Sequence, residues 1–116
     1  MRRIDTNWLG VADGFVTLFD HWQEPSEMWE GVGERQVRAV VTFERPFTAP
    51  PSVTLSTNLI DAHSGPYLRL NLRAEDVAES GFTLIADTWD DTRIARLGVR
   101  WQALGPLTDP DEVWDV

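Results

Sequence analysis

The sequence predicts an all-β protein of about six short strands. Three observations carry this. Apolar residues recur with a period of two in several runs. The runs are broken by Gly, Pro and Asp. A helical period of 3.6 is almost absent. A sheet with one oily face must cover it, so two sheets packed face to face are expected, with an open barrel as the nearest alternative.

The strands follow in chain order. Phe15 to Phe19, after Gly14, reads as the first. Val37, Ala39, Val41 and Phe43 alternate with Arg38, Val40, Thr42 and Glu44. Val53 to Thr57 is entered through Pro50-Pro51, which donate nothing to a ladder and suit a strand's approach. Leu68, Leu70, Leu72 and Ala74 alternate with Tyr67, Arg69, Asn71 and Arg73. Phe82, Leu84 and Ala86 alternate with Thr83, Ile85 and Asp87, and Ala95, Leu97, Val99 and Trp101 with Arg96, Gly98 and Arg100. Trp101 is therefore a core residue. Glu75 to Ser80 is expected to form one helical turn, and nothing else to be helical. Trp22 to Trp29 is expected to wrap across the sandwich as a loop.

Length and composition narrow the function. The 116 residues make one domain, 1–116, able to bury about two-thirds of its unfolded surface. There is no Cys, so disulfides, thiolate metal sites and thiol catalysis are out. The net charge is −9, with no Lys and every base an Arg. That excludes the basic footprint of a general nucleic-acid binder and argues against anionic lipid. Residues 1–36 carry seven acids and three Arg, and residues 104–116 four acids and no base; the segment between is nearly balanced. Two early Arg suit a leader's basic region, but no apolar run of about 7–15 residues follows. No stretch approaches the roughly 20 apolar residues of a membrane span. A soluble chain is expected, with any export by non-classical release or lysis. The segment 105–116 reads as an acidic loop or tail anchored by Trp114.

Most familiar chemistry is missing. His21 and His63 form no ligand-spaced pair, so no metal site is expected. No G-x-S-x-G elbow occurs, and Gly31-Val32-Gly33 precedes no helix, so it is not a phosphate loop. Asp87, Asp90 and Asp91 read either as a polar inter-strand turn or as a carboxylate pair or calcium-binding oxygens. Adjacent Asp90 and Asp91 point to opposite sides if the strand continues, which disfavours a facing pair. No cofactor is expected. The turn Thr88-Trp89-Asp90-Asp91-Thr92-Arg93 is the most informative. Its Trp is either a core lid or a stacking platform for the C–H face of a sugar, with carboxylates and Arg at hand for hydroxyls. Arg69 with Arg73, and Arg96 with Arg100, place paired Arg on two strands' outer faces. These read as solvated polarity or as a subunit interface.

The order and spacing of several segments resemble one family. They are Val41-Thr42-Phe43, Pro46-Phe47, Pro50-Pro51-Ser52-Val53, Asp61, Tyr67-Leu68-Arg69, Val77 and Ser80-Gly81-Phe82-Thr83-Leu84. Thr88 to Ile94 and Val99-Arg100-Trp101-Gln102-Ala103-Leu104 complete the set. Over residues 37–104 the chain resembles the H-type lectin domain, the family of snail agglutinins and slime-mould discoidins. The resemblance implies a six-stranded antiparallel β-sandwich, a homotrimer, no catalysis, and shallow sites between subunits for galactose or N-acetylgalactosamine.

The family's sugar-binding Arg falls on Arg69 and its Trp on Trp89. The next position, often His, is Asp90. An aromatic expected soon after falls on Ala95 and is missing. The family's acid from the loop before its second strand falls on Glu34, with Glu30 in reserve. Asp61 lies in the loop Ile60 to Pro66 and is expected to cap that turn. Arg69 is expected either to meet ligand or to pair with Asp90 or Glu34. The leading expectation is thus a multivalent glycan-binding trimer. A trimeric structural, adhesion or spike element without a sugar site is the second reading. A glycosidase using Asp87, Asp90 or Asp91 is the third.

Overall fold

The computed structural model describes residues 1–108. It comprises β1 (Leu9–Asp20), α1 (Glu27–Glu30), β2 (Arg35–Thr42), β3 (Ser52–Ala62), β4 (Asn71–Ala78), β5 (Gly81–Thr88) and β6 (Ile94–Pro106). The strands form two antiparallel three-stranded sheets, ordered β1-β6-β3 and β2-β5-β4. The sheets close on one another as the pattern requires. Val41, Phe82, Leu84 and Ala86 from one and Leu97, Val99, Trp101 and Ala103 from the other share a single buried cluster. The sandwich rather than the barrel is therefore what the alternation encodes.

Aromatic rings fill one part of this core. Phe43 meets Phe47 edge-on at 5.2 Å, and Trp101 lies 5.7 Å from both Phe43 and Phe82. Such tilted contacts suit the ring quadrupoles. Trp101 is a core residue, as its period predicts. Its bulk is accommodated by Gly14 on the neighbouring strand, where a Cβ would lie 2.7 Å from the indole.

Five details differ from the sequence reading, each for a physical reason. β1 starts at Leu9, not Phe15, because its pairing with β6 runs unbroken from Leu9↔Pro106 through Gly14↔Trp101. Glu75 to Ser80 is not a helical turn. β4 continues to Ala78 through a bulge, where Asp76 adopts φ 52°. The extra residue resets the alternation, so Val77 packs on the core after Leu72 and Ala74. The segment Tyr67 to Leu70 is not strand, so Arg69 precedes β4 rather than sharing it with Arg73. Residues 22–29 are not loop alone: a turn is followed by α1, whose N-cap Ser26 accepts from Met28 N–H. Asp61 caps no turn. It stays in β3 and accepts from Arg96 Nε at 3.1 Å, while His63 Nδ1 accepts the Gly65 N–H. The expected anchoring of the tail by Trp114 lies outside the described residues.

Leu84 is fully buried at the centre of β5. Leu84→Ala is expected to lower the unfolding free energy by about 2–5 kcal/mol. Gly14→Ala, which forces a methyl against Trp101, is expected to cost about 1–3 kcal/mol. Urea denaturation measures both, and an unchanged midpoint for either contradicts the packing described.

A candidate ligand site at the loop end of the sandwich

β2 begins, β5 ends and β6 begins at one end of the molecule, and the turn between β5 and β6 forms its tip. Thr88 and Thr92 are both buried there and replace ladder bonds that Tyr67 to Leu70 lack. Thr88 Oγ1 donates to Arg69 O at 2.6 Å, and Thr92 Oγ1 donates to Tyr67 O at 2.6 Å. Thr92 Oγ1 also accepts the Arg69 N–H at 3.1 Å. Two hydroxyls thus hold the Arg69 segment against the turn. Asp90 sits at the tip with φ 59°.

The Arg69 guanidinium reaches back to the turn. Nη1 donates to Asp91 Oδ1 at 2.7 Å, and Nη2 lies 3.8 Å from Asp90 Oδ2. Its expected pairing with Asp90 is thus present but loose, and Asp91 is the closer partner. Both carboxylates keep about two-thirds of their side-chain surface exposed. On the other side of the turn, Glu34, Arg35, Gln36, Asp87, Thr88 and Trp89 line an open cleft of about 400 Å³. Trp89 is 42% exposed there.

The sequence-predicted residues therefore fall into two adjoining groups. Glu34 and Trp89 share the cleft, and Arg69 and Asp90 share a charged ridge with Asp91. Arg69 is not among the residues that line the cleft. Glu30, the reserve acid, is elsewhere: its Oε1 lies 3.8 Å from His21 Nε2. Ala95 is fully buried, so the position where the family carries an aromatic faces no ligand here.

Arg35 is the residue the sequence did not disclose. It is 7% exposed and donates to four backbone carbonyls. Nε bonds Gly33 O at 2.9 Å, Nη1 bonds Glu27 O and Met28 O at 3.2 Å, and Nη2 bonds Asp90 O at 3.0 Å. Burial pulls its pKa below the usual guanidinium value and the charge of Glu27 opposes that; a guanidinium remains charged regardless. Gly33, at φ 83°, turns the chain so that its own N–H bonds Asp90 O at 2.9 Å. Arg93 adds a second tie, donating to Trp29 O at 2.9 Å with its guanidinium 4.3 Å from the Trp29 ring centroid. The only hint in the sequence was a lone base directly after Gly31 to Glu34.

Asp87, Glu75 and Asp61 are paired within the chain. Asp87 accepts from Arg73 Nε at 2.7 Å and from Gln36 Nε2 at 2.8 Å. Arg73 also pairs with Glu75, and Arg96 with Asp61. The outward Arg73 and Arg96 thus have partners within the chain. Among the described residues no three His, Asp or Glu converge as metal ligands. No helix among them is long and apolar enough to cross a membrane.

The loop end of the β-sandwich thus presents an exposed indole, a guanidinium and several carboxylates. The family follows from comparison. The chain belongs to the H-type lectin domain family, which matches residues 38–104. A Fuscovulum blasticum protein, "ATP synthase subunits region ORF 7", is 38% identical over 108 residues, covering 93% of each chain. Among solved structures, discoidin II of Dictyostelium discoideum is similar in fold. One structure gives a TM-score of 0.74 at 24% identity over 85% of this chain, another 0.75 at 23% over 90%. This chain spans only 37–40% of discoidin II. The R1 pyocin fibre of P. aeruginosa shares the fold more distantly, with a TM-score of 0.50 at 16% identity over 84% of this chain and 23% of that one.

Arg35→Met stays long and apolar but removes the guanidinium donors from four carbonyls, of which Glu27 O and Asp90 O keep a backbone N–H. It is expected to lower stability by about 3 kcal/mol and to speed hydrogen exchange at the Gly33 amide; slow exchange there would contradict the role. The hydrogen bond from Arg73 holds the Asp87 carboxyl below its usual range, against desolvation and with help from Gln36 and Asn71. The associated stability is present above about pH 4 and is lost as the pH falls through the lower, folded-state value. Asp87→Asn is expected to flatten that acid limb in denaturation titrations. A variant as acid-sensitive as the parent would show that Asp87 contributes nothing to it.

Proposed function

We propose that this protein is a carbohydrate-binding lectin without catalytic activity. The observation that carries the reading is the exposed Trp89 indole on a pinned turn, flanked by Glu34, Arg69, Asp90 and Asp91, inside a stretch that belongs to the H-type lectin family. A pyranose C–H face stacks on the indole. Sugar hydroxyls donate to the carboxylates of Glu34 and Asp90, and Arg69 donates to hydroxyl or ring oxygens. Discoidin II, a structural neighbour, supports a lectin function by its family. Galactose or N-acetylgalactosamine-type surface glycans are the ligands to test first. Asp90 in place of the family's frequent His, and the buried Ala95, point to a shifted preference among such sugars.

The same reading takes the protein as a homotrimer. In its favour, the outer face of β1 leaves Leu9, Val11 and Phe15 about half exposed, beside the partly exposed Leu59 of β3. Large apolar side chains on a sheet face, here with the exposed Asp13 between Val11 and Phe15, suit burial against further copies of the chain. Three weak sites on one rigid body gain about 10²–10⁴ in avidity when glycans are spaced to match. A second reading, a trimeric structural or adhesion element without a sugar site, is favoured by one observation: Arg69 already has Asp91 as a partner at 2.7 Å.

A glycan array with the parent protein, Trp89→Ala and Arg69→Ala separates the two, with the mass measured by light scattering. Glycan binding that drops at least about tenfold in each variant, from a particle of three chains, is the expected result. Binding untouched by both substitutions would remove the site. No binding by a trimer would favour the structural reading, and a one-chain mass would remove the trimer.

A further inference from the structure

A second aromatic group gathers at the same end of the sandwich, outside the Trp89 cleft. Trp22 lies 5.1 Å from His21, nearly perpendicular to it, and 5.5 Å from Trp29. Trp29 lies 6.1 Å from His63. The Arg93 guanidinium covers a face of Trp29 and makes it the inner member of the group. Trp22 is the outer member, 62% exposed, more than Trp89 itself.

That exposure belongs to a fixed turn, not to a loose one. His21 N–H donates to Ala95 O at 2.8 Å, Trp22 N–H to Asp20 Oδ1 at 3.0 Å, and Ser26 N–H to His21 Nδ1 at 3.0 Å. A large apolar ring held in place against water is pre-organised for stacking, because little order remains to be lost on binding. Its polar surroundings select the ligand. The segment 20–30 carries Asp20, Glu24, Glu27 and Glu30 and no Arg; Arg96, opposite Asp20 on β6, pairs with Asp61, and Arg93 is committed to Trp29. No cation on this turn is available for a phosphate or carboxylate. An uncharged ligand with an apolar face and hydroxyls that donate to carboxylates fits. The group is also tied to the first cleft through the chain segments that carry both. One loop carries Trp22, Trp29 and Glu34, and Arg93, which clasps Trp29, ends the turn that carries Trp89.

We propose that Trp22, backed by His21 and Trp29, is a second stacking subsite that takes a further sugar unit of a glycan held at Trp89. This rests on the carbohydrate reading above and adds ligand length to it. Calorimetric titration of the parent, Trp22→Ala and Trp22→Phe tests it, with galactose and N-acetylgalactosamine compared with short oligosaccharides ending in the same sugars. The parent is expected to bind the oligosaccharides at least about tenfold more tightly than the monosaccharides. Trp22→Ala is expected to bring the oligosaccharides down to the monosaccharide level and to leave the monosaccharides unchanged, while Trp22→Phe keeps most of the gain. Equal affinity for both ligand lengths in the parent overturns the subsite alone. So does a Trp22→Ala variant that weakens both ligand lengths equally, or neither. Binding of no saccharide of any length overturns the carbohydrate reading and the subsite together.

Discussion

Four backbone carbonyls, those of Glu27, Met28, Gly33 and Asp90, converge on the buried guanidinium of Arg35. They lie where a short helix ends or a turn reverses; Glu27 O and Asp90 O also accept the Gly31 and Gly33 N–H, and a buried carbonyl without a donor would be costly. A neutral side chain has too few donors to serve them all. The planar five-donor fork of Arg serves them at once, and Lys would not. Because one of the four belongs to the β5–β6 turn and three to α1 and the loop before β2, this one group ties together the segments that form the cleft, alongside the Gly33–Asp90 and Arg93–Trp29 bonds. Among the described residues no buried side-chain polar atom lacks a partner.

The sandwich was legible because period-two alternation is a direct record of which face is buried. Leu84, Leu97 and Val99 announce themselves, and so does Trp101. What stayed hidden was whatever depends on backbone bonding rather than on burial. The bulge at Asp76 looks in sequence like polar residues after a strand, which is also how a helical turn looks. The Tyr67 to Leu70 segment alternates like a strand but takes its hydrogen bonds from two Thr hydroxyls. Arg35 is an ordinary exposed base by composition, and only folding reveals that it is inside. The site was half visible. Trp89, Arg69 and Glu34, with Glu30 in reserve, could be placed by their resemblance to a family, while the cleft that Glu34 lines and the approach of Glu30 to His21 emerge only on folding.

The distribution of Arg follows a common logic. Arg73 and Arg96 neutralise acids on the outer faces of the two sheets, and Arg69 does so at the tip. Ile85, whose side chain alternates outward, is nonetheless fully buried between its cross-strand neighbours Arg38 and Arg73. Long stems that cover apolar surface while their heads are bonded, Arg73 to Asp87 and Glu75 and Arg38 to the Gln36 amide oxygen, explain how that face tolerates an isoleucine. Residues 37–103 are near neutrality by composition, and the acidity of the chain is carried mostly by its flanking segments.

The left-handed backbone at Asp90 has an evolutionary consequence. Its carbonyl is fixed by Arg35 and Gly33, so the conformation is set from outside the residue. Among side chains, Asp, Asn and His are those enriched at such φ values, together with Gly. The position is thus confined to a short menu that is almost entirely polar, and any choice from it leaves the scaffold undisturbed. On the carbohydrate reading proposed above, ligand preference drifts by exchanging one member of the menu for another, while the fold filters out every alternative that would deform the turn.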